Sequence, residues 1–424
     1  MKSLLKKLLD IALLVVESAY FDGSGNLVVA VRPHKSRQRR CPHCGRKCAG
    51  YDSRGNRRRW RSLDFGSTMV YLEYDIVRVE CPEHGVHAES VPWAHHASRF
   101  TYAFEQQVAW LCVHANRSVV SRLMRIDWKS VGAICGREYA RLDAAAGDRF
   151  ENLRRIGIDE TSYKKGFKYM TVVLDHDSGR IIWCADGCSQ AVLESFFDLL
   201  DYEQCARIEA VTADGARWMH DVVGRRCPNA EIALDPFHVV SWMTAALDEV
   251  RKQAWRRARA AWPPKSKNAA HRGGNPEAKA IKGSRYALLK NPEDLTERQE
   301  RTLARVARED KRLYGAYMLK ERLRDVFKSS DVAQARDQLE SWLKSASHSW
   351  TGEIKELSKK IRRHKERILK SVELGISNAR VEAANNKIKL TVRMAYGFRN
   401  IDNLMALIML RCSNLPIYLP GRTT

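Results

Sequence analysis

Two short segments of the chain have the composition and spacing of metal-binding knuckles. Cys41-Pro-His-Cys44 precedes a glycine, and Cys81-Pro-Glu-His84 repeats this pattern with histidine in the last position. Thiolate and imidazole groups suit tetrahedral Zn²⁺, and proline and glycine favour a turn in which two residues face one ion. The two knuckles therefore predict one structural Zn²⁺ ion with four protein ligands: Cys41, Cys44, Cys81 and His84.

Two nearby residues compete for a place in this zinc site. His87 is an alternative to His84 as the fourth ligand, and Cys48 could replace one of the other ligands. Because four protein ligands leave no open position for a substrate, we expect the ion to be structural. The simpler interpretation is a pair of ordinary turns with reduced cysteines, but two matched knuckles argue against it.

Three acidic residues occupy positions from which their carboxylates could meet. Asp159 follows the apolar run Ile156–Ile158, Asp214 ends a later strand-like run, and Glu382 lies in a helical pattern. Two aspartates and a glutamate around a sheet can hold two Mg²⁺ or Mn²⁺ ions for phosphoryl transfer. By spacing alone, however, three unrelated surface acids are the stronger interpretation, because many acidic residues here could make a triad.

A further segment has the pattern of a helix-turn-helix. Ser118–Met124 predicts a first helix, and Trp128–Leu142 predicts a second one after a short turn. Five apolar residues have the spacing of a small helical core: Val119, Leu123, Ile126, Val131 and Ile134. A generic helical hairpin is the alternative. If the motif binds DNA, we expect the contacts to come from four side chains: Arg122, Lys129, Ser130 and Arg137.

The charge of the 424-residue chain is large and unevenly distributed. The net charge of +23 divides into +9 for residues 1–150, −7 for 151–250, +17 for 251–370 and +4 for 371–424. Strongly basic segments are typical of proteins that neutralise nucleic-acid phosphates. The acidic segment contains Asp159 and Asp214, so bound cations would account for it.

The segments around these residues predict several kinds of structure. Residues 101–143 are helical, whereas residues 154–258 predict three hairpin-linked strands followed by strand–helix alternation, which indicates a mixed sheet. Residues 259–370 predict long, charged helices. Met1–Val16 lacks a cleavage site and predicts an amphipathic helix rather than a signal peptide. No run of 18 apolar residues predicts a membrane span.

Taken together, these motifs resemble those of bacterial insertion-sequence transposases of the DDE class, specifically the ISL3 group. That group has a zinc ribbon, a helix-turn-helix, and an RNase H-like domain interrupted by a helical insertion. Beside the two knuckles, the resemblance rests on five segments: Gly157–Glu160, Thr171–Asp177, Val211–Ala216 (VTADGA), Leu234–Val240 (LDPFHVV) and Ser377–Asn400.

The resemblance implies a multidomain α+β fold and a set of site residues. We expect a zinc-ribbon region at 1–100, a helix-turn-helix domain at 101–150, an RNase H-like domain at 151–258 and 371–424, and an all-α insertion at 259–370. Asp159, Asp214 and Glu382 would be the catalytic triad. Asp235 and His238 would be auxiliary, although an ordinary histidine–backbone contact explains them equally well, and Arg393 and Arg399 would contact DNA.

The function implied is that of a DNA transposase. Such an enzyme binds the terminal inverted repeats, cleaves the transposon ends and joins them to target DNA by two-metal phosphoryl transfer. A non-catalytic DNA-binding regulator derived from a transposase and a structure-specific RNase H-like nuclease are the alternatives. We expect double-stranded DNA as the partner, a homodimer or higher homo-oligomer, no membrane association, and a cytoplasmic protein that is nucleoid-associated when bound.

Overall fold

In the computed structural model, the chain divides into an N-terminal and a central unit. The described residues are 1–52, 55, 57–213, 216–261, 275–375, 379–395 and 397–422. The N-terminal unit comprises Met1–Gly147 with Thr391–Thr424, and the central unit comprises Asp148–Leu390. Asp214, one of the three predicted catalytic acids, lies outside the described residues.

The N-terminal unit begins with helix α1 (Lys2–Leu9) and two small sheets. The strands are β1 (Leu14–Phe21), β2 (Leu27–Pro33), β3 (Ala49–Asp52), β4 (Arg57–Phe65), β5 (Thr68–Asp75), β6 (Arg78–Cys81) and β7 (Gly85–Ala88). One sheet has the order β1-β2-β5-β4, in which β2 and β5 are parallel. The other, β3-β6-β7, is antiparallel and carries the second knuckle between β6 and β7.

Apolar side chains from alternate strand positions form the core beneath the larger sheet. Val29, Val70 and Leu72 are fully buried there, and Trp60 packs edge-to-face on Trp93 with ring centroids 5.5 Å apart. The predicted helix over Met1–Val16 is wrong beyond its first turns. It ends at Leu9, and the apolar residues that follow enter strand β1, where their burial alternates.

Three helices follow in the N-terminal unit and confirm the predicted helix-turn-helix. They are α2 (Tyr102–His114), α3 (Arg117–Met124) and α4 (Trp128–Ala145). Arg125 ends α3 in the left-handed conformation, with φ of 53°, which makes the turn tight. The predicted core of this motif was partly wrong: Val119 and Leu123 are 50% and 60% exposed. Their neighbours Val120 and Met124 are buried instead.

The central unit is built on a five-stranded mixed sheet. Its strands are β8 (Arg155–Lys164), β9 (Lys168–Asp175), β10 (Ile181–Asp186), β11 (Ala210–Ala213) and β12 (Glu231–Leu234). The order is β10-β9-β8-β11-β12, with β8 antiparallel to β9 and parallel to β11. Three helices accompany the sheet: α5 (Gln190–Phe197), α6 (Tyr202–Arg207) and α7 (Arg217–Arg226). This confirms the predicted RNase H-like arrangement of hairpin strands followed by strand–helix alternation.

Among the described residues of the central unit, eight helices share one apolar core. They are α8 (Pro236–Ala260), α9 (Pro276–Gly283), α10 (Arg285–Leu289), α11 (Glu297–Glu309), α12 (Lys311–Lys328), α13 (Val332–Ser347), α14 (Gly352–Arg363) and α15 (Lys365–Glu373). The predicted all-α region is present, but its core starts earlier than residue 259. Helix α8 is continuous from its N-cap, Asp235, and already buries Val239 and Met243 in the helical core.

The last two helices show where the chain passes between the units. They are α16 (Ala379–Met394), within which the boundary falls, and α17 (Ile401–Cys412). Helix α17 packs on α2 and α4, and Arg411 donates to the backbone oxygen of Cys112 (2.8 Å). Thr391–Thr424 therefore groups with the helix-turn-helix, which differs from the predicted assignment of 371–424 to the RNase H-like domain.

Candidate zinc site and active site

The two knuckles bring their four predicted ligands to one point. The ligand atoms of Cys41, Cys44, Cys81 and His84 all lie within 4.8 Å of one another. A tetrahedral ion with Zn–S of about 2.3 Å and Zn–N of about 2.05 Å would separate two sulfurs by about 3.8 Å and sulfur from nitrogen by about 3.6 Å. The Cys44–Cys81 sulfurs are 3.7 Å apart, and His84 Nδ1 is 3.5 Å from Cys81 Sγ. The four side chains therefore fit tetrahedral Zn²⁺.

The backbone of the knuckles explains their sequence. Gly45 and Gly85 both have positive φ, 69° and 75°, which L-residues with a Cβ adopt only with strain. Burial raises the pKa of the Cys81 thiol, but hydrogen bonds from backbone N–H groups at Glu83 and His84 lower it to about 7 overall. A thiolate is therefore accessible at neutral pH, as zinc ligation requires.

The structure distinguishes between the candidates for the fourth zinc ligand. His84 lies with the three cysteines, whereas His87 belongs to a different group of side chains. Cys48 is half-buried and is not a member of the four-residue cluster. The geometry thus favours His84 over His87.

Asp159 and Glu382 are positioned by the packing of helix α16 on strand β8. Gly157 makes this approach possible: a Cβ at this position would lie 2.7 Å from Val381 Cγ2 and 2.9 Å from His176 Nε2. Glu382, exposed, is the next residue after Val381, and Asp159 stands two residues beyond Gly157. Arg380 donates to the backbone oxygen of His176 and fastens the same helix to the β9–β10 turn.

A direct side-chain contact joins α16, the helix that carries Glu382, to Asp159. Asn385, one turn beyond Glu382 and only 7% exposed, donates from Nδ2 to Asp159 Oδ2 (2.5 Å). Its own Oδ1 is buried without a partner in the described part of the chain. Asp159 and the unsatisfied amide oxygen of Asn385 offer oxygen ligands at this contact, and the exposed Glu382 lies one turn earlier on α16; oxygen ligands of this kind suit Mg²⁺ and its bound waters. The residues present therefore fit a magnesium site.

The strand that precedes Asp214 lies beside β8. Strands β11 and β8 are parallel, and Thr212 is opposite Gly157. Thr212 Oγ1 is 2.7 Å from Nε2 of the buried His176. Ala213, the last residue of β11, therefore lies in the strand next to β8, which carries Asp159.

We expect Gly157→Ala to slow DNA cleavage and to destabilise the central unit by about 1–3 kcal/mol, because the new methyl group must push α16 away from β8. A displacement of about 1 Å at reacting groups can cost about 10²-fold in rate. Urea unfolding and a cleavage assay would measure both effects. Gly224→Ala is the matched control, since a Cβ there has nothing within 4 Å. Equal behaviour of the two variants would contradict the packing argument.

The buried His176 makes the stability of this region depend on pH. Burial, aided by the positive charge of Arg155, lowers the pKa of His176 from 6.5 to about 4. Below pH 6.5, His176 is protonated in the unfolded chain but stays neutral in the folded chain. The folded state therefore loses stability as the pH falls from 6.5 to about 4. A shift of this size corresponds to about 3 kcal/mol.

Hydrogen exchange of the β9 and β11 amides at several pH values would measure this dependence. We expect the wild type to lose protection between pH 6.5 and about 4 more steeply than His176→Gln. His348→Gln, at an exposed histidine of the same unit, should follow the wild type. A His176→Gln profile as steep as that of the wild type would exclude the assignment.

Asp235 and His238 are adjacent at the start of α8. Asp235 is the N-cap, accepting from the N–H of Phe237 (2.9 Å), and His238 Nε2 lies 3.6 Å from Asp235 Oδ2. Asp235 is buried at the end of β12. Capping explains the aspartate locally, and an auxiliary role of the pair stays a prediction.

The predicted DNA-contacting residues differ in their surroundings. Arg122, Lys129, Arg393 and Arg399 are exposed, and Ser130 is half-buried. Arg137 is half-buried and pairs with the fully buried Glu105, with Nε 3.0 Å from Oε1; its role as a DNA contact stays a prediction. A buried carboxylate requires a counterion, and the sequence pattern gave no sign that Glu105 is buried.

Comparison with known proteins identifies the class of this protein as a transposase. Residues 156–408 match a family model described as a transposase, of the ISL3 type. Residues 89–137 match the helix-turn-helix domain of transposase family ISL3, and residues 37–84 match the zinc-finger of transposases IS204, IS1001, IS1096 and IS1165. The chain belongs to the ISL3 family of transposases, which confirms the resemblance found in the sequence.

Two named relatives cover most of the chain. It is 47% identical over 421 residues to the transposase for insertion sequence element IS1557 of Mycobacterium tuberculosis, spanning 96% of this chain and 94% of that protein. It is 26% identical over 363 residues to the transposase for IS1001 of Bordetella parapertussis, spanning 85% of each. Among the described helices, none has the length and apolar character needed to cross a membrane.

Proposed function

We propose that this protein binds the terminal inverted repeats of its insertion sequence, cleaves the ends and joins them to target DNA. The observation that carries the proposal is the docking of α16 on β8, which brings Glu382 to the strand of Asp159 through Gly157 and Asn385. Asp214 would be the third carboxylate, because it follows Ala213 at the end of the neighbouring parallel strand. Family membership supports transposition as the overall reaction.

The proposed chemistry is two successive in-line phosphoryl transfers at one site. Bound Mg²⁺ or Mn²⁺ would activate the attacking oxygen and stabilise the leaving oxygen. Water attacks the phosphodiester at the transposon end and frees a 3′-hydroxyl. That hydroxyl then attacks a target phosphodiester and displaces the target 3′-oxygen, so no covalent enzyme intermediate forms. Asn385 holds Asp159 in one orientation, and Glu382 presents its carboxylate from the exposed face of α16.

The N-terminal unit is the proposed reader of the transposon ends. Its ribbon would hold one structural Zn²⁺, and its helix-turn-helix would place α4 in the major groove. Lys129 is exposed in the first turn of α4, where a recognition helix contacts DNA. Arg122 is exposed near the end of α3 and would pair with a phosphate.

The helical core of the central unit is the proposed clamp on DNA. Residues 251–370 carry +17, the largest segment charge of the chain. Basic side chains of α9 and α11 line a cavity of about 780 Å³: Lys279, Lys282, Arg298 and Arg305. A basic surface of this kind would attract the DNA backbone by releasing counterions. Synapsis of two ends at the bacterial nucleoid would require a homodimer or higher homo-oligomer.

The test is a set of assays with DNA that carries the terminal repeats. The wild-type chain should cleave at the end in Mg²⁺ or Mn²⁺ and join precut ends to a second DNA. Cleavage without joining would indicate a nuclease, and tight end binding without cleavage would indicate a DNA-binding regulator; either result would overturn the proposal. Analytical ultracentrifugation with and without end DNA would give the number of protomers.

Replacing Lys129 should weaken DNA binding, whereas replacing Arg137 should mainly weaken the fold. Loss of one phosphate contact in Lys129→Ala reduces the slope of log affinity against log salt by about 1. Arg137→Ala removes the arginine partner of the buried Glu105, which would keep only the Ser98 hydroxyl and the nearby His95; the cost should approach, but not exceed, the about 3–5 kcal/mol of a broken buried ion pair. Fluorescence anisotropy at several salt concentrations and urea unfolding distinguish the two. If the slope of log affinity against log salt is unchanged in Lys129→Ala, Lys129 does not contact a DNA phosphate.

A further inference from the structure

Three histidines form a second group of metal-ligating side chains beside the zinc site. His43 belongs to the first knuckle, His87 to β7, and His96 to the segment that leads to α2. One ring nitrogen from each lies within 4.8 Å of the other two. The ring of His43 is 4.7 Å from that of His87 and 5.8 Å from that of His96, measured between centroids.

We propose that His43, His87 and His96 bind a second divalent transition-metal ion, separate from the ion of the cysteine site. Three neutral imidazoles suit Zn²⁺, Ni²⁺ or Cu²⁺. Tetrahedral Zn²⁺ with Zn–N of about 2.05 Å would bring the nitrogens to about 3.3 Å from one another. The side chains of His43 and His96 are exposed, so a small rotation of each can close the remaining gap.

The hydrogen bonds of the three rings favour ligation. His87 Nε2 is 2.5 Å from the backbone oxygen of His84 and donates to it, so Nδ1 keeps its lone pair for a metal. A ring N–H that donates to a carbonyl is the usual support of a metal-bound histidine. Within the described part of the chain, the rings of His43 and His96 make no hydrogen bond, so metal binding would break none.

The charge of the neighbouring cysteine site also favours a second cation. Three thiolates and one neutral histidine give the first zinc complex a net charge of −1. The rings of His43 and His84 stack with centroids 5.1 Å apart, so the second ion would lie close to this negative complex. Arg58, whose guanidinium donates to the backbone oxygen of Ser98 (2.7 Å), interacts electrostatically with His96, and its positive charge would disfavour the ion.

The position of the three ligands indicates what the second ion would do. It would join the first knuckle and β7 to the segment that ends at Thr101, the N-cap of α2. That helix begins the helical part of the N-terminal unit. The ion would therefore fix the zinc ribbon to the helix-turn-helix and set the spacing of two DNA-binding elements. The fourth coordination position of this ion would face solvent and hold a water molecule.

The test is a metal count on the full-length chain and does not depend on DNA cleavage. Protein stripped of metal is dialysed against Zn²⁺ in excess Mg²⁺, which occupies oxygen-ligand sites, and bound zinc is measured by atomic emission. We expect two ions in the wild type and in His114→Ala, an exposed histidine of the same unit. His87→Ala and His96→Ala should each retain one ion.

Cobalt substitution shows which ion is lost. The thiolate-to-Co²⁺ absorption band reports only the cysteine site, so it should persist in both variants and show that the ribbon is folded. His96 lies outside both knuckles, so its variant stays informative even if His87→Ala disturbs β7. A single ion in the wild type, or two ions in His96→Ala, would overturn the second site.

Discussion

Glu382→Gln is expected to abolish end cleavage and strand transfer while leaving end binding intact. The amide keeps the shape of the side chain on the exposed face of α16 but removes the charge that would hold a divalent ion. Loss of several kcal/mol of transition-state stabilisation lowers the rate by at least about 10³-fold. Asp159→Asn and Asp214→Asn should behave alike, and the double variants should be no slower, because the three acids act as one unit.

The measurement is cleavage of labelled end DNA, with binding followed separately by anisotropy. Glu356→Gln is the matched control: it is an exposed glutamate on a helix of the same unit and pairs only with Lys359 in the described structure (2.7 Å). It should cleave at the wild-type rate. If any of the three active-site variants cleaves normally, that residue does not belong to the triad. Reduced binding in Glu382→Gln would instead assign the residue to DNA contact.

The strands of the central unit could be predicted from local patterns in the sequence. Short runs rich in β-branched and aromatic residues, separated by turn residues, predicted β8 to β12. The start of the helical core could not be predicted in this way. Asp235 caps a helix that is continuous for 25 residues. The apolar periodicity of this helix does not show at which residue it stops packing on strands and begins to pack on other helices.

The helix-turn-helix shows the limit of periodicity. Val119 and Leu123 are as apolar as Val120 and Met124, so a shift of one residue around α3 changes which pair faces the core. The choice depends on packing against α2 and α4, which are distant in sequence. The grouping of α17 with these helices has the same origin, since Arg411 bonds to Cys112 across 299 residues.

Residues that bind a ligand were easier to predict than residues that position them. The spacing of cysteine and histidine residues predicted the zinc cluster, because few other functions require such spacing. Asn385 was missed, although its position three residues after Glu382 places both on one side of α16. The role of Gly157 depends on a contact with Val381 and therefore had no signal in the local sequence.

Removal of the structural zinc should unfold the ribbon and abolish recognition of the transposon ends. The three-stranded sheet β3-β6-β7 has strands of four residues each, too short to be stable without the metal. Structural zinc sites contribute about 10–16 kcal/mol of apparent binding free energy at neutral pH. Chelation, Cys44→Ser or Cys81→Ser should therefore convert residues 41–52 and 78–88 to an exchange-labile state, whereas β4 and β5 of the larger sheet should stay protected. Hydrogen exchange with mass spectrometry would detect it.

Cys48→Ser is the matched control for this experiment, because Cys48 lies in the same ribbon but outside the four-ligand cluster. It should retain the thiolate-to-Co²⁺ band, normal exchange protection and end binding. His84→Ala should lose the band's tetrahedral character, whereas His87→Ala should keep it, since only His84 lies with the three cysteines. Loss of the band in Cys48→Ser, or its retention in Cys81→Ser, would show that a different set of thiolates holds the ion. Acidification should release the ion as the thiolates are protonated.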